Sequence, residues 1–279
     1  MAKVLLLGCG DLGTAIALNL WNAGHEVIGV RRSDKPLPNG MQTIQADITV
    51  HDSLHMLAKI KPQIIIYCIS AGAQSDESYY LHYVLGLQHV LATQQDNTLL
   101  ERVFFVSSTR VYGKVTNGLI NEESTAIASD FGGERLLQAE ALLSQLECRH
   151  TVLRLSGIYG PGRLYLLSLA KDISRWPEQN HWSNRIHQYD AAAFISYQVN
   201  LHENKQPLDS CYVVTDNMPT QQYEVLLWIC KQLEIDVERI DVPPAMGGKR
   251  LSNNRMLETG FVLKYPTYQQ GYMELLESL

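Results

Sequence analysis

Charge is sparse in this chain. Asp, Glu, Lys and Arg make up 19% of its 279 residues, and the balance is acidic, a formal −6 at pH 7. Such a balance offers no basic surface to attract nucleic acid or an anionic membrane. Cysteine is scarce as well. The five present (Cys9, Cys68, Cys148, Cys211 and Cys230) are odd in number and scattered, with no CxxC pair. That pattern argues against a disulfide framework or a zinc ribbon and fits buried thiols in a reducing cytoplasm. Long apolar runs are also missing. The apolar start is broken by glycines and by Asp11 too early for a signal peptide or a membrane span. No repeat, linker or low-complexity stretch interrupts the chain. What remains is 46% hydrophobic, an ordinary globular composition with room for one large domain, or one and a smaller second. The expectation is a cytoplasmic protein that takes a small-molecule substrate and has no nucleic-acid, membrane or metal partner.

What is present is concentrated at the start. Residues 2–7 form a strand-length apolar run that leads into Gly8-Cys9-Gly10-Asp11-Leu12-Gly13. Residues 14–21 then carry apolar side chains at helical spacing, Gly24 and His25 close that helix, and residues 26–30 read as a second strand. Strand, glycine turn, helix and strand in this order are the signature of a dinucleotide site. Gly8 would let the chain turn sharply, Gly10 would let the backbone approach a pyrophosphate, and Gly13 would let helix and strand pack closely. The free N–H groups at the helix start, around Asp11 and Leu12, would receive the phosphate charge. An NAD site usually carries an acid at the end of the second strand, for the ribose 2′-hydroxyl. This chain has Arg31 and Arg32 there. Forked guanidinium donors suit a 2′-phosphate, so NADP is expected ahead of NAD. A pair of solvated surface arginines is the plain alternative.

Further along, residues 41–47 read as a third strand ending on Asp47, which either reaches the adenine edge of the cofactor or forms a turn. A helix beginning at Asp52 would put His51 and His55 on one face at the spacing of a metal pair, but no third ligand is near. Residues 63–70 are apolar on both faces, as a buried parallel strand is. Ser70 marks its carboxyl edge, where ligands lie in such sheets. A helix over 79–95, a strand over 102–109, a polar irregular stretch over 114–129, a helix over 134–146 and a strand over 151–156 keep up the alternation. This argues for an α/β fold, a Rossmann-type doubly wound parallel sheet. Beyond Gly162 the rhythm weakens. The expected organisation is a dinucleotide-binding Rossmann domain over 1–162, with a returning segment near 185–216. A small C-terminal substrate lobe would be built from 163–184 and 217–279.

Four segments carry a resemblance. Ser107-Ser108-Thr109-Arg110-Val111-Tyr112-Gly113 is similar to SSxxVYG, and Leu153-Arg154-Leu155-Ser156-Gly157-Ile158-Tyr159-Gly160-Pro161-Gly162 to LRxxNVYGPG. Arg185-Ile186-His187-Gln188-Tyr189-Asp190 is similar to (V/I)HVDD, and residues 260–271 to a closing LGWxPxxxxxEG. In this order, and over nearly the whole chain, they resemble the extended short-chain dehydrogenase/reductases, the family of nucleotide-sugar epimerases and dehydratases. The resemblance implies a catalytic set of Asn, Ser or Thr, and a Tyr followed four residues later by Lys. The Lys lowers the Tyr pKa and holds the nicotinamide ribose. Ser108 matches the Ser. Phe131-Gly132-Gly133-Glu134-Arg135 stands at the YxxxK position, so the phenol is missing, while Arg135 keeps a cation for ribose hydroxyls. Tyr83 stands in place of the Asn, and Gly157 in place of a second Asn that often contacts substrate phosphate.

Two functions follow as expectations. One is an NAD(P)-dependent epimerase/dehydratase or reductase with a rearranged acid/base, acting on a nucleotide-sugar-like or small carbonyl or hydroxyl compound. Ser108 and Arg135 are its retained groups, and Tyr112, Tyr159, Tyr83 and His187 are its titratable candidates, His187 near neutral pH. Each has a plain alternative: Tyr112 and Tyr159 as packing within their motifs, His187 as a helix cap. The other function is a cofactor-binding module without turnover. Helices like those over 79–95 and 134–146 pair between subunits in many relatives. Here outward-facing Gln94, Gln95, Gln138 and Gln145 leave monomer and homodimer both open.

Overall fold

β1 (Lys3–Leu7) explains the arrangement of the sheet. In this computed structural model, which describes residues 1–113 and 118–278, Val4, Leu5, Leu6 and Leu7 have no exposed surface. A strand buried on both faces needs helices above and below it, which parallel crossovers supply. β2 (Glu26–Arg31) and β3 (Gln42–Gln45) extend the sheet on one side, β4 (Ile64–Tyr67) and β5 (Arg102–Ser108) on the other, all in parallel. β6 (Arg149–Leu155) follows, then the short strands β7 (Gly157–Tyr159), β8 (Asn180–Ser183) and β9 (Arg185–His187), before β10 (Cys211–Val214) returns. The main sheet has the order β10-β6-β5-β4-β1-β2-β3. That order reverses between β1 and β4, and ligand crevices of such sheets open there, beyond the carboxyl ends of the strands. Each fully buried Leu, Ile or Phe of these strands contributes roughly 1.5–3 kcal/mol.

α1 (Asp11–Asn22) buries Leu12, Ile16, Ala17 and Leu20. The helix expected over 79–95 is instead three pieces: α2 (Asp76–Tyr79), a π-helical turn over Tyr80–Leu85, and α3 (Gly86–Ala92). The Tyr67 hydroxyl donates to the His82 carbonyl, which competes with the helical ladder at that point. Gly86 permits the approach, since a Cβ there would lie 2.8 Å from Tyr67 Oη. Gln94 does not face outward. It is buried and donates to the Leu57 carbonyl at 2.8 Å. His51–Lys59 is a 3-10 helix, so its side chains do not stack at the expected spacing. His51 packs edge-on to His89 at 5.3 Å, and the His55 ring meets the Asp52 carbonyl. No cluster among the described residues could hold a metal ion. α4 (Phe131–Leu143) begins earlier than the expected 134 because Asp130 caps it, accepting from the Gly133 N–H at 2.9 Å.

The chain divides into two units. The first comprises Met1–Gly113, Ala126–Arg154 and Ala192–Tyr212, and the second Lys114–Thr125, Leu155–Ala191 and Val213–Leu279. Residues 155–162 thus fall in the second unit. Of the polar stretch over 114–129, residues 114–117 lie outside the described residues. α5 (Tyr165–Ala170), α6 (Gln188–Glu203), α7 (Gln222–Gln232), α8 (Asn254–Glu258) and α9 (Tyr268–Glu277) complete the helices. The second unit has its own core, in which Leu167, Leu226, Ile229, Tyr268 and Tyr272 pack together. β11 (Thr220–Gln221) and β12 (Ala245–Gly248) flank β8, and β7 pairs with β9 in parallel. No helix among the described residues is long and apolar enough to cross a membrane.

Candidate functional site

The glycine turn sits where the strand order reverses. Gly8 leaves β1 with φ +96°, and a Cβ on it would lie 2.2 Å from the Cys68 carbonyl oxygen at the end of β4. A Cβ on Gly13 would lie 2.0 Å from the Gly8 carbonyl oxygen. Contacts within the protein therefore demand both of these glycines. Gly10 is different, for a Cβ there would meet nothing within 4 Å. Its bare side is open to another molecule. Gly10 also opens α1 without a side-chain cap, while Asp11 Oδ1 accepts from the Leu12 N–H at 2.7 Å and the Leu12 side chain is buried beneath the turn.

At the end of β2 the two arginines differ. Arg32 is exposed, whereas Arg31 is half-buried and its Nε is buried with no partner. Asp47, beyond β3, accepts from Thr49 N–H at 2.9 Å and Thr49 Oγ1 at 2.7 Å. Burial opposes its charge, yet these hydrogen bonds and the Arg32 charge hold the carboxyl below the usual range. Both acceptor bonds thus close a turn. Beyond β4, Ser70 is exposed. Tyr83 lies near that edge: burial, with Tyr79 adding, pushes its phenol up to about 12, while a backbone hydrogen bond from Ala71 opposes.

Ser108 ends β5, and its Oγ accepts from the Arg110 N–H at 3.2 Å. Ser107 Oγ donates to Glu140 at 2.6 Å, and Glu140 is clasped by Arg154 at 2.6 and 3.2 Å. Arg154 in turn donates to Tyr112 Oη at 2.9 Å, its guanidinium 4.9 Å over the ring. Tyr112 has no exposed surface. Its candidacy as an acid is corrected to a core role, because a phenol shut away from solvent and bonded to Arg154 cannot meet a substrate.

The YxxxK position is occupied by a different structure. The Arg110 guanidinium lies between two rings, 5.0 Å from Tyr79 and 5.1 Å from Phe131. Its Nε donates to Asp130 at 2.8 Å, and its Nη1 to Gln74 at 3.1 Å and Tyr79 Oη at 2.8 Å. Gly132 makes room for it, since a Cβ there would lie 2.4 Å from Arg110 Cζ. Arg135 turns its fork to Asp76, Nε to Oδ1 at 2.7 Å and Nη2 to Oδ2 at 2.9 Å, and gives Nη1 to Gln138 at 2.9 Å. Arg110 is the residue that the motif reading passed over. Its only signal is a charged side chain at a variable position of SSxxVYG.

His187 belongs to the second unit. It is buried, its Nδ1 accepts from the Tyr189 N–H at 3.1 Å, and its ring lies 4.0 Å from Tyr265 and 5.1 Å from Tyr159. Burial pushes its pKa down to about 4, with Glu274 opposing and Lys264 adding. The expected titration near neutral pH is thereby corrected, and the ring caps the start of α6. Tyr159 is likewise buried.

Comparison with known proteins accords with this geometry. The sequence profile of the NAD-dependent epimerase/dehydratase family matches residues 4–195. A Methylobacillus flagellatus protein assigned to the NAD-dependent epimerases/dehydratases is 42% identical and superposes with a TM-score of 0.90, over 99% of this chain and 98% of that one. The Thermus thermophilus UDP-glucose 4-epimerase, solved with NAD, is 18% identical with a TM-score of 0.77, over 96% of each chain. The Bacillus anthracis dTDP-glucose 4,6-dehydratase, also solved with NAD, is 16% identical with a TM-score of 0.79, over 99% of this chain and 96% of that one. At such identities the last two share the fold alone. No curated protein sequence gives a significant match. From the glycine turn through the returning sheet, the chain belongs to the NAD-dependent epimerase/dehydratase family.

Proposed function

We propose that the protein is an NADP(H)-dependent enzyme of the epimerase/dehydratase type, acting on a nucleotide-sugar-like substrate or a small hydroxyl or carbonyl compound. One observation carries the cofactor reading. The bare face of Gly10 is open, while Arg31 at the end of the next strand has a buried Nε without a partner. Open backbone for a pyrophosphate and a half-buried guanidinium, its Nε without a partner, for a 2′-phosphate suit that dinucleotide. A bound nicotinamide would supply hydride exchange with a carbon carrying a hydroxyl or carbonyl. The chain's own residues orient and hold. The turn from Gly8 to Gly13 takes the pyrophosphate, Arg31 and Arg32 select the 2′-phosphate, and Ser108 offers its hydroxyl to the substrate oxygen. Phe131 has no proton to give, so proton transfer falls to another group. Tyr83 is the phenol at the family's Asn position, and its high pKa keeps it protonated at neutral pH.

Phe131, together with an Arg135 spent on Asp76, favours a second reading, a module that binds NADP(H) without turnover. The test has two stages. Calorimetric titration with NADP and NAD in turn should show NADP the tighter ligand. Nicotinamide absorbance should then report hydride exchange with nucleotide sugars or small carbonyl compounds. Binding without exchange on any of them leaves the second reading standing.

A further inference from the structure

The second unit contains a polar cluster that its own contacts leave incomplete. Arg185 and Asp216 are 3% and 1% exposed, and the Asp216 N–H donates to the Arg185 carbonyl at 2.8 Å. Each side chain is only half satisfied. Arg185 Nη2 donates to Ser183 Oγ at 2.5 Å, and the guanidinium lies 5.4 Å over the Tyr268 ring. Its Nη1 is buried with no partner. Asp216 Oδ1 accepts from the Met218 N–H at 3.1 Å, while Oδ2 is buried with no partner. Tyr159 supplies a third such atom. Its ring stacks on Tyr272 at 4.5 Å, its Oη is buried with no partner, and the charges of Asp216 and Arg185 both act on it. Gly271 leaves space for that hydroxyl, since a Cβ there would lie 2.0 Å from Tyr159 Oη.

Opposite charges that are buried and leave polar atoms without partners cost free energy unless something satisfies them. The joining group must accept from Arg185 Nη1, donate to Asp216 Oδ2 whenever that acid is ionised, and do either with Tyr159. A carboxylate cannot donate to Asp216, and an ammonium cannot accept from Arg185. A hydroxyl does both, and burial of all three residues restricts it to the smallest. We infer that the second unit holds an internal hydration site, where one water or a short chain of two bridges Arg185, Asp216 and Tyr159 and makes the buried pair solvent-separated. The inference stands apart from the proposed function, since it needs neither cofactor nor substrate.

The cluster has a proton linkage that helps to test it. Burial pushes the Asp216 carboxyl up to about 7, with Arg185 opposing and Asp190 adding. The charged and titratable groups facing it are Arg185, Asp190, Tyr159 and Tyr272. A carboxyl raised above its usual 3.8 contributes stability that is complete below that value and lost as pH rises towards about 7.

The experiment is a crystal structure of the full chain at a resolution that shows waters, with thermal unfolding of wild type and Asp216→Asn from about pH 4.5 to about pH 8. The expected structure has water about 3 Å from Arg185 Nη1, Asp216 Oδ2 and Tyr159 Oη. Wild type should lose a few degrees of Tm relative to Asp216→Asn as pH rises. Arg185 and Asp216 in direct contact, or a dry gap between them, would overturn the inference. If Asp216→Asn does not fold, the wild-type structure decides alone.

Discussion

Arg135 clasps Asp76 through two parallel hydrogen bonds of 2.7 and 2.9 Å. That fork spends the donors which the family's lysine would turn towards a nicotinamide ribose. The pairing also holds the Asp76 carboxyl below its usual range, chiefly through the Arg135 hydrogen bonds.

Rebuilding the usual acid/base pair therefore takes three changes. Phe131→Tyr with Arg135→Lys restores both groups, but Asp76 would retain the new ammonium. Adding Asp76→Asn should raise hydride exchange above the double variant, within the about 10²–10⁴-fold range of general acid/base catalysis. Rates compared under NADPH saturation check this, and a double variant as fast as the triple would remove Asp76 from the account.

The glycines separate binding from folding. Gly10 has φ −74° and nothing near its open side. Gly10→Ala should leave Tm unchanged while weakening dinucleotide affinity, because the methyl fills space needed by the pyrophosphate. Gly13→Ala puts a methyl 2.0 Å from the Gly8 carbonyl oxygen. Overpacking of this kind costs about 1–3 kcal/mol, so Tm should fall before any ligand is added. Calorimetry and thermal unfolding of the two variants check both halves. Equal affinity in Gly10→Ala and wild type would move the pyrophosphate elsewhere.

The glycine turn is legible in the sequence because its three glycines lie within six consecutive residues, between a strand-length apolar run and a helix-spaced one. Arg110 is not. Its partners Asp130, Tyr79 and Gln74 stand 20, 31 and 36 positions away, and only the fold gathers them. Tyr112 and His187 stand out in a motif as titratable side chains, but a motif carries no information about burial, and burial decides both cases. The π-turn over Tyr80–Leu85 is hidden for another reason. Apolar spacing hardly distinguishes it from an α-turn, and the group that disturbs the ladder, the Tyr67 hydroxyl, comes from a different element.

The arginines at the end of β2 should set cofactor choice. A charge-assisted bond contributes about 1.5–3 kcal/mol, so NADP should bind at least about tenfold more tightly than NAD. Arg31→Ala should remove most of that margin, and Arg31→Asp should reverse it. Arg32→Ala should do less, because Arg32 is exposed while Arg31 is half-buried with an unsatisfied Nε. Calorimetric titration of each variant with both dinucleotides is the measurement, and equal affinities in wild type would dismiss the arginine argument.

His187 should leave its mark on acid stability. Its folded pKa, about 4, lies below the ordinary 6.5. The neutral ring's contribution is therefore complete above pH 6.5 and is lost as pH falls towards 4. Spread over that interval, the loss is roughly 3 kcal/mol. Asp216 works in the opposite sense across an overlapping window, gaining stability as pH falls from about 7, so the wild-type curve alone mixes the two. Comparison with His187→Phe separates them. The new ring would still pack between Tyr159 and Tyr265, but it cannot titrate or accept from the Tyr189 N–H. At neutral pH the variant should be weaker by about 0.5–2 kcal/mol, the usual cost of a lost cap. Between pH 6.5 and 4 its stability should fall less steeply than that of wild type, as measured by urea unfolding in small pH steps. Parallel curves would mean that the folded His187 takes up its proton as readily as the unfolded chain does, and that its burial exerts no force on the ring.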